Sequence, residues 1–439
     1  MSDQISRRDF VKGAAALITM PMIVPSSALA KDGTVAPSNR ITLGFIGIGY
    51  QARGHLGLCI RHPDVKVLAV CDVDTKRREH SKKMVEDWYS ADTSIGKYTG
   101  CAAYDDFRQL LARKDIDAVF IGTPDHWHII PAVEAVKSGK DVYCEKPLTL
   151  TIAEAKVVID AVRKHKRVLQ TGSQQRSSGE FRVACQAVLN GRIGKVQRVY
   201  AAVGGPSHPC DLPEEPLEPG LDWEMWLGQA PTRPYNSVLS PRGIHEFFPN
   251  WRAYREYSGG AMTDWGAHHF DIAQWGLGMD QSGPVQVIPP DDPKAEQGVR
   301  WVYANGAELV HGGYTDADGK NRGGVHFVGE NGVVYVDRGQ LMSWPDSIVK
   351  DPPGANEKKL PVSPGHQQNF FDCVKSRERP ICDVEIGGRS ATVCHLGNLA
   401  YWNHRKLNWD PEKWHFVNDH EADKWMDRER RAPWKLPKP

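Results

Sequence analysis

The sequence has no excess of charge of either sign and no long hydrophobic run. Its 55 lysines and arginines nearly balance its 54 aspartates and glutamates, so no overall field would draw the molecule to nucleic acid or to an anionic membrane. A membrane-spanning helix needs roughly 18 or more consecutive apolar residues, and no such run occurs. These absences argue against nucleic-acid binding and a membrane span, and they favour a small, weakly charged ligand.

Cysteine pairs of the C-x-x-C kind are also absent, although the chain has nine cysteines. Their absence removes the usual sequence signal for zinc ribbons and thioredoxin-like redox sites. Cys71 and Cys144 lie in apolar, strand-like runs, where cysteine behaves as a small hydrophobic side chain. We therefore predict that most of the cysteines are packing residues.

The N-terminus has the pattern of an export signal. The adjacent arginines Arg7-Arg8 are followed by a mildly apolar stretch and by Ala28-Leu29-Ala30. That order is typical of a secretory signal, and the paired arginines resemble the twin-arginine type, which exports folded proteins. We predict that residues 1–30 are a signal peptide, that residues 31–40 are a linker, and that the mature protein is periplasmic.

Residues 41–169 alternate short apolar strands with longer helical stretches. Strands separated by helices predict an α/β domain with a doubly wound parallel sheet. In such sheets ligands bind at the carboxyl ends of the strands. The predicted strands are residues 41–47, 65–71, 118–122, 141–144 and 167–170.

The second half of the chain has a different pattern. Residues 170–410 contain longer runs of Thr, Val and Tyr with short turns, which predict an α+β domain with a large open, mostly antiparallel sheet. We expect this domain to bind substrate and to form a homodimer or homotetramer through its sheet. Residues 204–258 are rich in Pro, Trp and Gly and are predicted to be an ordered insertion, and residues 411–439 a C-terminal extension.

A glycine-rich turn ends the first strand and opens a helix, in the order Gly47-Ile48-Gly49-Tyr50-Gln51-Ala52. Gly47 permits the tight turn, and Gly49 lets the backbone approach a pyrophosphate on the helix N-terminus. Asp72 ends the second strand, where a carboxylate can bind both ribose hydroxyls. The combination predicts a Rossmann dinucleotide-binding domain whose cofactor residues include Gly47, Gly49, Tyr50, Ala52 and Asp72.

Asp72 also bears on the choice between NAD and NADP. A carboxylate at this position repels a 2′-phosphate and favours NAD, whereas the nearby Arg77 and Arg78 moderate that preference. The motif taken alone also fits a glycine-rich turn in an unrelated α/β domain, with Asp72 as a helix cap. In the full context NAD is the predicted cofactor and NADP the less favoured one.

Two further strand ends carry polar residues. The loop from Thr123-Pro124 to His128 follows the strand 118–122, and Glu145-Lys146-Pro147 follows the strand 141–144. Both loops lie at the carboxyl edge, where the cofactor is expected. Lys146 is therefore a candidate for proton transfer as well as for cofactor binding.

Asp264 and His268 are four residues apart in a helical stretch and should share one face. A carboxylate that orients an imidazole forms an acid/base unit, in which the ring takes a proton as hydride leaves the substrate carbon. Spacing alone also fits a structural pair that stabilises a helix.

Together these motifs resemble the glucose-fructose oxidoreductase, inositol dehydrogenase and rhizopine-catabolism (Gfo/Idh/MocA) family over about residues 41–400. The stretch from Gly259-Gly260 through Asp264 to His268 is similar to the family's G-G-x-x-x-D-x-x-x-H motif. The resemblance implies that Asp264 and His268 are the catalytic pair and that Lys146, joined to Pro147 by a cis bond, contacts the reacting oxygen. It also implies nicotinamide contacts from Gln175 and a substrate or supporting role for Arg176. The full set of predicted cofactor contacts on these loops is Thr123, Pro124, His128, Glu145, Lys146 and Gln175.

Aromatic and planar polar residues precede and flank the catalytic stretch. Trp251, Arg252 and His269 are predicted substrate contacts, because aromatic faces and planar polar groups suit the apolar faces and hydroxyl rims of sugars. His245, His268 and His269 raise the question of a metal, but no spacing fixes a ligand set. No metal is predicted.

The sequence therefore predicts a NAD-dependent dehydrogenase that oxidises a ring secondary hydroxyl of a sugar or glycoside to a ketosugar, with C3 as the candidate position. One alternative is a NAD-dependent glycosidase of the same superfamily, in which transient oxidation permits elimination and the cofactor is restored. The intact Glu145-Lys146-Pro147 favours the dehydrogenase, and the export signal favours the glycosidase. A second alternative is a non-catalytic sugar or cofactor sensor, against which the intact proton-transfer residues count.

Overall fold

A computed structural model describes residues 39–91 and 100–439 of the chain. The predicted signal peptide and most of the predicted linker lie outside the described residues, and so does the segment 92–99. No helix in the described part of the chain is both long enough and apolar enough to cross a bilayer.

The first domain is built on a six-stranded sheet in the order β3-β2-β1-β4-β5-β6, and every strand pair is parallel. Its central strands are almost wholly buried, because helices cover both faces and the strand sequences are apolar. This is the predicted doubly wound sheet. The strands are β1 (Ile41–Ile46), β2 (Val65–Cys71), β3 (Ala102–Tyr104), β4 (Ala118–Ile121), β5 (Asp141–Cys144) and β6 (Leu169–Thr171).

The helices of this domain follow the strands in alternation. Thr151 caps α5 through a reciprocal capping box with Glu154, and Asp74 caps α2 through the backbone N–H groups of Lys76 and Arg77. The helices are α1 (Tyr50–Cys59), α2 (Thr75–Ser90), α3 (Phe107–Leu111), α4 (Ile129–Lys137) and α5 (Ile152–His165).

The second domain contains a nine-stranded sheet in the order β15-β14-β13-β7-β10-β9-β8-β16-β17. It is mixed but mostly antiparallel, since only β7 and β10 pair in parallel, and β11-β12 is a separate hairpin. The strands are β7 (Val196–Ala202), β8 (Gln286–Ile288), β9 (Arg300–Val302), β10 (Glu308–His311), β11 (Tyr314–Thr315), β12 (Asn321–Arg322), β13 (Gly324–Gly329), β14 (Gly332–Asp337), β15 (Gln340–Trp344), β16 (Leu407–Asp410) and β17 (His415–Phe416).

Helices pack on one face of this sheet around a core that includes Phe270, Trp301 and Phe327. One helix, α11, returns to the first domain, where Phe370 and Phe371 join the core around Phe120. Residues 170–410, predicted as one domain, therefore include a helix that packs in the core of the first domain. The helices are α6 (Gly179–Leu189), α7 (Trp223–Leu227), α8 (Ala261–Asp264), α9 (Gly266–Gly276), α10 (Ser347–Lys350), α11 (His366–Ser376), α12 (Val384–Asn403) and α13 (His420–Asp423).

The insertion at residues 204–258 is ordered and has a hydrophobic core of its own, which includes Trp226, Trp251 and Tyr257. It packs against the first domain, since the Trp226 carbonyl accepts hydrogen bonds from the side chains of His126 and Trp127. Because it lies over the end of the first domain that bears the glycine-rich turn, we call residues 204–258 the cover segment.

Candidate active site

The glycine-rich turn after β1 has the shape that a dinucleotide requires. Gly47 has φ +74°, and a Cβ on it would lie 2.6 Å from the Thr123 side chain, so only glycine fits there. A Cβ on Gly49 would meet nothing within 4 Å. The backbone at Gly49 thus faces open space at the start of α1, where a pyrophosphate is stabilised.

Asp72 lies beside this turn at the end of β2. Its carboxylate accepts hydrogen bonds from the backbone N–H groups of Ile48 at 2.6 Å and Asp74 at 2.9 Å. These bonds hold the carboxylate at the edge of the cavity, where the predicted ribose contact would be made.

A cavity of about 870 Å³ runs from this turn to the junction with the second domain. Residues of both domains and of the cover segment line it. Most of the sequence-predicted site residues are among them, namely Gly47, Gly49, Tyr50, Asp72, Thr123, Pro124, His128, Glu145, Lys146, Gln175, Trp251, Arg252, Asp264 and His268.

Lys146 is held by Asp264 where the two domains meet. The Lys146 Nζ donates to Asp264 Oδ1 at 2.5 Å and to the Asp264 carbonyl at 3.0 Å, and Arg252 Nε lies 3.5 Å from the same carboxylate. Burial alone would raise the pKa of Asp264, but the charges of Lys146 and Arg252 outweigh it and lower that pKa. The Lys146–Pro147 bond is cis, as the family resemblance implies.

The predicted pairing of Asp264 with His268 is wrong in detail. Among the described residues no hydrogen bond joins them, because the Asp264 carboxylate is turned toward Lys146 and Arg252. The stretch is also divided at Trp265, so Asp264 ends α8 and His268 lies in the first turn of α9.

His268 is a buried, uncharged imidazole at the wall of the cavity. Its exposed fraction is 5%, and its Nδ1 has no hydrogen-bond partner within the described part of the chain. Burial, reinforced by the positive charge of Lys146, holds the pKa of His268 well below its usual value. A neutral ring next to a lysine can accept a proton from a substrate hydroxyl.

Neighbouring side chains fix the loops that carry these groups. His55 Nε2 lies 2.7 Å from Glu145 Oε1; burial tends to raise the pKa of Glu145, but the His55 hydrogen bond and the charges of His55 and Lys146 bring it to about 2. His128 bridges the carbonyls of Pro147 at 2.7 Å and Thr123 at 3.0 Å. The two loops that follow β4 and β5 are therefore joined to each other.

Unpartnered polar atoms in the wall fit the predicted cofactor. The amide oxygen and nitrogen of Gln175 and the hydroxyl of Thr123 are buried and have no partner in the described residues, although both side chains line the cavity. Buried polar groups are normally satisfied, so these atoms are placed to bind a ligand with donors and acceptors. The open backbone at Gly49 and the carboxylate of Asp72 suit the dinucleotide portion of that ligand.

Three predicted contacts are not part of the cavity wall. Arg176 is 2% exposed and forms bidentate bonds with Asp271 at 2.7 and 2.9 Å, so it supports the fold and the predicted substrate contact is wrong. His269 does not line the cavity either, and its Nε2 lies 4.0 Å from the Asp337 carboxylate. Ala52 packs against Gly122, where an added Cβ would lie 2.7 Å from the Ala52 methyl group.

Several wall residues have no clear sequence signal. Trp265 and Arg338 both line the cavity, and the Arg338 guanidinium stacks over the Trp265 ring at 4.8 Å. Arg338 lies in the turn between β14 and β15, far along the chain from every motif. Within the described ranges no group of three or more His, Cys, Asp or Glu side chains has the arrangement of a metal site.

Comparisons with known proteins agree with this architecture. The family described as "Oxidoreductase family, NAD-binding Rossmann fold" matches residues 41–173, and the one described as "Oxidoreductase family, C-terminal alpha/beta domain" matches residues 205–436. The uncharacterized oxidoreductase YrbE of Bacillus subtilis is 25% identical over 299 residues, which are 68% of this chain and 67% of that protein.

Two further kinds of relative are informative. The alpha-N-acetylgalactosaminidase of Shewanella oneidensis is 30% identical over 213 residues, so the match spans only 45% of this chain and 46% of that protein. The WlbA dehydrogenase of Bordetella pertussis, solved in complex with NADH and UDP-GlcNAcA, has a TM-score of 0.57 at 18% identity, covering 84% of this chain and 99% of that chain. The aldose-aldose oxidoreductase of Caulobacter crescentus has a TM-score of 0.55 at 19% identity, covering the same shares. At these identities the two solved structures show a shared fold.

The matches to both domains establish that the chain belongs to the Gfo/Idh/MocA family of NAD-binding oxidoreductases.

Proposed function

We propose that the protein oxidises a ring secondary hydroxyl of a sugar or glycoside to a ketone, with NAD as hydride acceptor and C3 as the candidate carbon. The observation that carries the proposal is the arrangement of Lys146, Asp264 and His268 around the same cavity that begins at the glycine-rich turn. A proton-transfer set beside a dinucleotide site is what the oxidation of an alcohol requires.

Each of these side chains has a distinct part in the proposed reaction. Lys146, oriented by Asp264, donates a hydrogen bond to the substrate hydroxyl oxygen. His268 is neutral and accepts the hydroxyl proton as the carbonyl forms. When bound, the nicotinamide supplies the acceptor for the hydride that leaves the carbon.

Arg77 and Arg78 lie near Asp72 and bear on the choice between NAD and NADP. The Arg77 guanidinium is buried and donates to Ser240 at 3.3 Å and to the Pro241 carbonyl, and Arg78 donates to the Asp72 carbonyl at 2.8 Å. Both guanidinium groups are thus engaged within the protein. The Asp72 carboxylate would repel a 2′-phosphate on the ribose, and this repulsion supports NAD.

The substrate end of the cavity has the mixed lining that sugars favour. Trp251 and Trp265 supply aromatic faces, and Arg252, stacked 4.2 Å over Trp251, supplies planar donors. The relatives that bind or act on sugars support this class of substrate by analogy of fold.

A redox-cycling glycosidase is the second candidate, and one observation favours it. Several relatives are named as glycosyl hydrolase family 109 proteins. In that reaction the ketone formed first would acidify the neighbouring carbon, and the aglycone would leave by elimination. Water would then add to the resulting double bond, and the hydride would return to the ketone. A sensor without activity is the third candidate.

Product analysis separates the dehydrogenase from its rivals. The purified chain is incubated with NAD and a panel of glycosides, and products are identified by mass spectrometry. The proposal predicts a product two hydrogens lighter with the aglycone attached, and loss of that product in Lys146→Ala but not in Lys137→Ala, an exposed lysine on α4. A freed aglycone without net reduction of NAD would select the glycosidase, and no product from the whole panel would overturn the sugar assignment.

Export and oligomeric state belong to the same proposal. Residues 1–30 are proposed to direct the folded protein to the periplasm, and cell fractionation with and without an Arg7-Arg8→Lys-Lys change tests this. A homo-oligomer formed through the second sheet is proposed as well. Light scattering of the purified chain gives the mass that decides between monomer, dimer and tetramer.

A further inference from the structure

The cover segment is fastened to the turn that follows β2, where the cofactor ribose is expected. Lys76 Nζ donates to Glu218 Oε1 at 2.7 Å, and the Thr75 backbone N–H donates to the Gly220 carbonyl at 2.9 Å. Glu218 is 3% exposed and also accepts from the Gly243 backbone N–H at 2.9 Å. The buried Glu218 carboxylate thus bonds both to Gly243 within the cover segment and to Lys76 of the first domain.

Two buried arginines make the second attachment. Arg77 binds Ser240 and the Pro241 carbonyl, and Arg53 of α1 donates to the His245 carbonyl. Both guanidinium groups are at least nine-tenths buried. The residues of the cover segment from 240 to 245 are therefore held against the wall that contains Asp72.

The His245 ring has one satisfied nitrogen and one unsatisfied nitrogen. Its Nδ1 lies 2.8 Å from the Phe247 carbonyl, an acceptor, so Nδ1 carries the proton. Its Nε2 is buried without a partner in the described residues, and the ring is 6% exposed and lines the cavity together with Asp72. Burial and the nearby charge of Arg77 lower the pKa of His245 to about 4, so the ring is neutral and Nε2 is a hydrogen-bond acceptor.

Two acceptors at one end of the cavity imply a ligand with two donors. We infer that His245 Nε2, on the cover segment, accepts a hydrogen bond from the adenosine ribose of NAD beside Asp72. A ribose diol offers one O–H to each acceptor, whereas a 2′-phosphate replaces one of these donors with acceptor oxygens. The inference rests on the proposed use of NAD.

The contacts of the cover segment fix the position of His245. Arg53 donates to the His245 carbonyl, and Arg77 holds Ser240 and Pro241 of the same stretch. Hydrogen bonds from a charged donor are the strong ones, so these two arginines hold the His245 ring at the same end of the cavity as Asp72.

The test measures cofactor binding without any sugar. The full chain, freed of nucleotide, is titrated with NAD and with NADP by calorimetry, and the release of bound NAD is timed after dilution into a nucleotide trap. His245→Ala should weaken NAD binding and speed its release by about tenfold, the usual effect of one lost hydrogen bond. His245→Gln, which keeps an acceptor at a similar reach, should retain most of the affinity.

The control is His208→Ala, an exposed histidine of the same cover segment that does not line the cavity. It should bind and release NAD as the unmodified chain does. If His245→Ala behaves like this control, the inference is overturned, and His245→Leu answers the same question should alanine prevent folding. If the unmodified chain fails to bind NAD at all, the proposed cofactor is what fails, whereas normal binding without sugar oxidation leaves this inference standing.

Discussion

Asp125 is a buried carboxyl group in the cavity wall and directly follows the Thr123-Pro124 pair. Ser258 Oγ donates to its Oδ2 at 2.6 Å. Burial raises the pKa of Asp125 to about 7, although the Ser258 bond and the charge of Arg252 act in the opposite direction. As pH rises, the unfolded chain releases the Asp125 proton near the ordinary pKa of 3.8, whereas the folded protein keeps it until about pH 7.

This proton predicts a pH-dependent effect of Asp125→Asn. Between the ordinary pKa of 3.8 and about 7 the native state binds more protons than the unfolded state, so the wild-type free energy of unfolding falls as pH rises. Asparagine keeps the Ser258 contact and has no such proton, so the variant gains stability relative to wild type across this window, by as much as about 4 kcal/mol. Urea unfolding at pH 5 and pH 8 measures it, with the exposed Asp87→Asn as control, and a pH-independent difference would contradict the assignment.

The lowered pKa of His268 determines the pH–rate profile that we expect. Because burial keeps its pKa well below 6.5, the ring stays neutral as pH falls from 8 to 6, and kcat/KM should not decline through protonation of this residue. Replacement by His268→Asn should lower kcat by about 10²- to 10⁴-fold, the usual contribution of a general base, and leave NAD affinity unchanged. An acid limb near pH 6.5 that disappears in the variant would show that the ring is charged in solution.

At this scale the sequence predicted the identity of the site residues better than their partners. The motifs predict Lys146, Asp264 and His268 as site residues, and all three line the cavity. The Asp264 bond to Lys146 was missed, because it joins residues 118 positions apart, and spacing within one helix drew attention to His268 instead.

At the scale of the element, Arg176 connects the short 3-10 helix Gln174–Ser177, which also carries Gln175, to α9. It binds Asp271 and also Asp280, at 2.7 Å from Oδ1, and its side chain and that of Asp271 are each 1% exposed. Replacement by Arg176→Ala would leave the Asp271 carboxylate buried and unpaired. We predict a loss of about 3 to 5 kcal/mol in the free energy of unfolding, the usual cost of breaking a buried ion pair from one side.

The control for Arg176 is Arg198→Ala on β7, which breaks a surface pair with Glu308 of β10 and should cost about 1 kcal/mol or less. Unfolding by urea measures both variants. Arg176→Lys should recover only part of the loss, since lysine lacks the planar fork that bonds both oxygens of Asp271. Equal effects of Arg176→Ala and Arg198→Ala would contradict a supporting role for the buried pair.

Strand prediction succeeded where a run of buried apolar residues marks the strand, and it failed at three of the shortest strands. The sequence predicted residues 65–71 and 141–144 as strands, and β2 and β5 have these bounds. Strands β3, β8 and β9 have three residues each, too few for an alternating pattern to be recognised. They form because neighbouring strands supply partners, which local sequence does not show.

At the scale of the whole molecule, the C-terminal extension returns to the first domain. Arg430 lies 3.1 Å from Glu154, which is 2% exposed and caps α5. Trp434 packs edge-on against Trp127 with ring centroids 4.7 Å apart. The extension therefore supports the helix and the loop that flank the cofactor end of the cavity.

Replacement by Arg430→Ala should destabilise the protein by about 3 to 5 kcal/mol, since it leaves the Glu154 carboxylate buried without its cation. The matched control is Arg405→Ala, which removes a partly exposed arginine bound to Asp419 and Glu421. Thermal or urea unfolding compares the two. Similar small losses in both variants would show that the extension does not stabilise the first domain.

Neither the extension nor the cover segment could be placed from sequence. Their contacts join residues far apart in the chain, such as Arg430 with Glu154 at a separation of 276, and their irregular backbone gives no periodic signal. The sequence identified residues 204–258 as ordered from their tryptophans, but it could not show that they would close over Asp72.

The central claim is that this cavity transfers hydride from a sugar carbon to bound NAD, and a single-turnover experiment tests it most directly. The protein is loaded with NAD, mixed rapidly with the best glycoside of the panel, and followed by the absorbance of the reduced nicotinamide. The account predicts that absorbance rises and stays, that it rises more slowly when deuterium replaces hydrogen on the reacting carbon, and that Lys146→Ala abolishes it. A rise followed by full decay with release of the aglycone would establish the glycosidase instead, and no rise with any sugar in a protein that binds NAD would contradict the account.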